Sequence, residues 1–60
     1  MARKHEPRVA KDVSFARDIL CELRAAGMRD RDIRGFAELA ARVGNYTDEA
    51  RGFWRSVAAR

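Results

Sequence analysis

Sixty residues are enough for one domain and leave it only a small core, because little surface can be buried at this length. One cysteine and one histidine exclude an internal disulfide and a Cys/His zinc site, and no apolar run approaches the ~20 residues that cross a bilayer. The formal charge of +4, carried mainly by arginine, suits a polyanionic partner, although acidic residues are scattered through every segment.

Chains this short that lack disulfides and metals rely on tight helix packing or on oligomerisation, so a homodimer is the default expectation. The opening residues Met1 to Pro7 carry charge and are followed by no continuous hydrophobic region, so a secretory signal is not expected. Together with the unpaired Cys21, this points to the cytoplasm.

Residues 1–12 read as a short, flexible basic arm ahead of a single domain over residues 13–60. Arg3, Lys4, Arg8 and Lys11 supply its charge, interrupted by Glu6 and Asp12, and Pro7 breaks any helix through it. A solvated terminus explains such an arm, and so does a segment that follows a phosphate backbone or enters a minor groove.

The first helix is predicted from Val13 or Ser14 to Ala26, capped by Asp12 or Ser14. Ala16, Ile19, Leu20 and Leu23 repeat at i, i+3, i+4 and i+7 and form its apolar stripe, with Phe15 beside it. Gly27 supplies the left-handed position that commonly closes a helix. A second helix fits Asp32 to Val43, with Asp30 or Asp32 at its start and Gly44 at its end. Ile33, Phe36, Ala37, Ala40 and Val43 trace its buried face, with Leu39 alongside, and Asp30–Arg34 and Glu38–Arg42 are spaced for i,i+4 pairing. The third helix begins after Thr47, a good N-cap, and Asp48 and Glu49 suit the positive end of its dipole. Ala50, Phe53, Trp54, Val57 and Ala58 define its stripe. No strand-like alternation competes, so the fold class is all-α: a compact three-helix bundle.

Candidates for enzyme chemistry are few. A nucleophile–base pair would need Cys21 and His5, and His5 belongs to the flexible arm. Asp18 and Glu22 oppose any activation of Cys21 by Arg17 and Arg24. Asp30 and Asp32 alternate with arginines and read as a solvated connection. No phosphate-binding glycine loop or paired metal-ligand motif is present, so neither an enzyme, a metal nor a cofactor is expected.

The stretch from Phe36 to Arg55 carries a different signal. Ala40 is a small residue where two helices would cross, and Gly44 follows it by four positions to end the first of them. Leu39 and Val43 supply apolar packing before the turn, and Ala50 and Phe53 after it. This stretch resembles the helix–turn–helix motif of phage-repressor-type DNA-binding domains. The resemblance implies a third helix lying in a major groove of double-stranded DNA, with Tyr46, Thr47, Arg51 and Arg55 presented to it. Arg3, Lys4, Arg8 and Lys11 would then fix the backbone.

Phe15, Phe36 and Phe53 are most simply core. Trp54 fits either the core or a protein interface, where tryptophan is enriched. Two functions are therefore expected: a small DNA-binding transcription regulator acting as a homodimer, or a helical module for protein–protein interaction or self-assembly. Membrane binding is not expected, because the polar helix faces hold too many acids.

Overall fold

Three α-helices, α1 (Val13–Ala25), α2 (Asp30–Val43) and α3 (Asp48–Ala58), follow one another in the computed structural model, which describes residues 10–60. No strand is present among the described residues. The all-α, three-helix architecture is that expected from the apolar spacing. Arg3, Lys4 and Arg8 of the expected arm lie outside the described residues.

The Asp12 carboxylate caps α1 by accepting a hydrogen bond from the Phe15 N–H at 2.9 Å. Ala16 and Leu20 are buried, while Ile19 and Leu23 pack at the edge of the core. The helix closes as Gly27 takes φ +86°, with the Gly27 N–H donating to the Arg24 carbonyl and the Met28 N–H to the Leu23 carbonyl. This paired closure satisfies carbonyls that the helix end would otherwise leave free.

α2 begins at Asp30, ahead of the expected Asp32, and neither aspartate is its cap. Arg29 occupies the cap position with extended backbone and no side-chain hydrogen bond, its carbonyl accepting from the Ile33 N–H at 2.9 Å. Asp30 and Asp32 sit inside the first turn, where carboxylates oppose the positive end of the dipole without capping it. The earlier start moves Gly35 into the helix interior, where glycine costs about 1 kcal/mol relative to alanine.

Gly44 ends α2 in an extended conformation, φ −73° and ψ 154°, so no left-handed turn calls for glycine there. Space calls for it instead. A Cβ at Gly44 would lie 2.5 Å from two Tyr46 ring carbons and 2.8 Å from the Ala40 carbonyl oxygen. α3 then starts at Thr47, whose Oγ1 accepts from the Ala50 N–H at 3.2 Å.

α3 packs against both other helices. Trp54 is its central residue, with no exposed area, and its indole meets the rings of Phe53, Phe36 and Tyr46 edge to face at centroid distances of 5.2, 5.4 and 5.8 Å. Its Nε1–H finds no acceptor among the described residues. That omission costs about 1–3 kcal/mol, whereas burying an indole contributes roughly 4–6 kcal/mol at 25 cal/mol per Å², so burial wins. Of the two places the sequence left open for Trp54, the chain's own core takes it.

Three apolar residues depart from expectation. Phe15 is 47% exposed, Leu39 57% and Val43 74%, so none of them belongs to the core. Ile33, Ala37 and Ala40 carry the buried face of α2 as expected, with Phe36 packed against the core beside them. The small side chains at Ala37, Ala40 and Ala50 bring α2 close to α3, and that rotation leaves the larger residues of the neighbouring face outside.

Lys11 also departs from its assignment to a flexible arm. Its N–H donates to the Asn45 carbonyl at 2.8 Å and its carbonyl accepts from the Thr47 N–H at 2.9 Å, forming an isolated parallel bridge with Tyr46. The chain entering α1 is thereby tied to the turn between α2 and α3.

Two substitutions test this packing. Gly44→Ala should lower unfolding stability in urea by about 2 kcal/mol through overpacking, while Gly52→Ala, with nothing within 4 Å of the new methyl, should raise it by up to about 1 kcal/mol. Equal shifts for the pair would refute the Tyr46 contact. Trp54→Ala should cost about 3–5 kcal/mol and abolish the cooperative transition in a domain this small; a cooperative melt near that of the native chain would place the indole elsewhere.

Candidate interaction surface

The residues expected to face DNA do not share one surface. Tyr46 is only 5% exposed, held against Gly44 and Trp54, and presents no ring to a ligand. Thr47 is half-buried and its hydroxyl oxygen is engaged as the α3 cap. Arg51 and Arg55 are exposed on α3, and Arg51 stands 4.0 Å from the Asp48 carboxylate, one turn earlier. Lys11 is exposed, but its ammonium lies over the rings of Tyr46 and Phe15, 5.2 and 5.7 Å from their centroids. A cation in that position helps cover aromatic carbon.

The packing attributed to Leu39 and Val43 before the turn is likewise not made. Both side chains point outward from α2 and are more exposed than Phe15 on α1. Leu39 and Val43 line a shallow depression with Phe36, Lys11 and Tyr46. The result is an apolar shoulder that runs from the middle of α2 to its carboxyl end. Scattered exposed apolar residues are ordinary, whereas Leu39 and Val43 are neighbours one turn apart on a single face.

Charges border this shoulder without pairing across the chain. The Arg51–Asp48 contact is the one ion pair within 4.0 Å among the described residues, so the expected Asp30–Arg34 and Glu38–Arg42 pairs do not close. A second depression, between α2 and α3, is lined by Glu38, Ala41, Arg42, Arg55 and Ala58. A third brings Arg24, Arg34 and Arg60 around Asp30. In each, a carboxylate accompanies the arginines.

Cys21 is exposed on α1. Among the described residues, no group of three or more His, Cys, Asp or Glu side chains is placed to hold a metal ion, and no helix is long and apolar enough to cross a membrane.

Sequence reasoning missed the shoulder because Val43 follows Ala40 by three residues, a spacing that helical periodicity groups on one face. The available signal was the concentration of alanine at Ala37, Ala40 and Ala41, which marks the side of close helix approach more sharply than leucine or valine does. No protein-family model, curated protein or solved structure matches this chain.

Proposed function

We propose that this chain is a small non-enzymatic interaction module that associates with another helix through the apolar shoulder of α2. The exposure of Leu39 and Val43 on one face carries this reading, because neither side chain serves the chain's own core. Burying them against a partner would recover hydrophobic free energy that the single chain forgoes. The core itself holds few large aliphatic side chains, Leu20, Ile33 and Val57, so an outward leucine and valine are a notable share of the apolar bulk.

A second reading keeps the DNA-binding role, with α3 and its exposed Arg51 and Arg55 toward the duplex. It rests on these two arginines and the net positive charge, with Tyr46 buried and the Thr47 hydroxyl oxygen accepting the α3 cap bond. Asp48 and Glu49, both exposed in the first turn of α3, repel phosphate at the end of the helix expected to approach it. The association reading is therefore the better supported.

Photo-crosslinking in cells tests it. A photoreactive residue replacing Val43 should give a discrete protein adduct that Leu39→Asp abolishes, while the same group at exposed Ser56 gives none. Equal yields from the two positions would reject the shoulder as a specific surface. Titration of labelled duplex at several salt concentrations tests the second reading. Binding that persists near physiological salt, and weakens about tenfold or more in Arg51→Ala/Arg55→Ala, would favour DNA over a protein partner.

A further inference from the structure

The geometry points to a specific occupant for this shoulder: a second copy of the same chain, with the two α2 helices antiparallel about a two-fold axis at the level of Ala37. This inference rests on the association reading above and adds to it a partner and a register.

The first observation is a knob and a hole on one ridge. Gly35, Leu39 and Val43 follow one another at i, i+4 and i+8 along α2, and such rows form the ridges by which helices interlock. Leu39 projects from this ridge into solvent. Gly35, one turn earlier, leaves a notch: a Cβ there would meet nothing within 4 Å, so no neighbour within the chain explains the missing side chain. Glycine weakens a helix interior, and close approach of a second backbone is a physical reason to tolerate it.

The second observation is charge complementarity. Asp32 and Arg42 are exposed on the same side of α2, and neither has an ion-pair partner within 4.0 Å among the described residues. At 3.6 residues per turn, Asp32 lies on the Leu39 side of the ridge and Arg42 on the Gly35 side. Asp32 and Arg42 share their midpoint with Gly35 and Leu39, so one two-fold axis serves both pairs. Antiparallel pairing about that axis sets Leu39 into the Gly35 notch of the second copy and Asp32 opposite its Arg42, each contact occurring twice. The same operation lays Val43 along the aliphatic stem of Arg31. An isologous interface requires this kind of self-complementarity, in which residue i meets j and j meets i. A parallel arrangement would bring Asp32 to Asp32 and Arg42 to Arg42, and like charges select against it.

Sedimentation equilibrium on the purified chain, up to about 1 mM, reads the outcome directly. The wild type should rise from the mass of one chain toward that of two. Gly35→Leu fills the notch with a strong helix former and should raise the dimer dissociation constant at least about tenfold with helicity retained. Asp32→Arg and Arg42→Asp should each weaken the dimer, and the double variant Asp32→Arg/Arg42→Asp should recover it, circular dichroism confirming that each is folded. A wild type that stays monomeric throughout overturns the self-pairing. So does a Gly35→Leu chain that dimerises as before, and a folded charge swap without recovery overturns the antiparallel register. Adducts to a different protein at position 43 together with a monomeric wild type would sustain the association module and reject the second copy, so the two failures are separable.

Discussion

The enclosure of Trp54 is the constraint on which the rest of this small fold depends. One indole occupies the centre of the core, bounded by Phe36 from α2, Phe53 from its own helix and Tyr46 from the preceding turn. The remaining buried side chains are mostly alanines, with Leu20, Ile33 and Val57 as the larger aliphatic members. Small residues allow the helices to approach, and the single large residue fills the space their approach leaves. Edge-to-face contacts suit this role, since ring edges and faces carry opposite partial charge.

Tyr46 reaches Trp54 because two local features allow it. Gly44 has no Cβ where the tyrosine ring must lie, and the bridge from Lys11 holds the backbone of residues 45–47 in place. The Lys11 ammonium over the Tyr46 ring covers the outer side of the same contact. The turn between α2 and α3 is thus a piece of the core. Its side chains serve packing and capping, Tyr46 in the core and the Thr47 hydroxyl oxygen at the start of α3.

That commitment shifts the functional balance. Along α3 the exposed arginines Arg51 and Arg55 stand behind Asp48 and Glu49, so its polar face is mixed in charge. Meanwhile α2 turns its alanines inward and its leucine and valine outward. The apolar area most open to a partner therefore lies on α2, opposite in character to the polar face of α3.

Apolar spacing and cap chemistry by themselves determined the helical fold. The three stripes, Asp12 and Thr47 as caps, and Gly27 as a left-handed closure are local properties, readable because each depends on residues within one or two turns. Of the two aspartates expected at the start of α2, Asp30 begins it, and Arg29 takes the cap position through its backbone alone. Only the tertiary structure decided which of two adjacent faces of α2 turns inward. Val43 follows Ala40 at helical spacing and Leu39 stands beside it, yet both stay outside while Ile33, Ala37 and Ala40 are buried, and the close approach of α3 made the difference. It also decided that Trp54 belongs to the core, that Tyr46 is buried and that Lys11 is anchored. Each of these depends on contacts between residues far apart in the chain, which local periodicity does not encode.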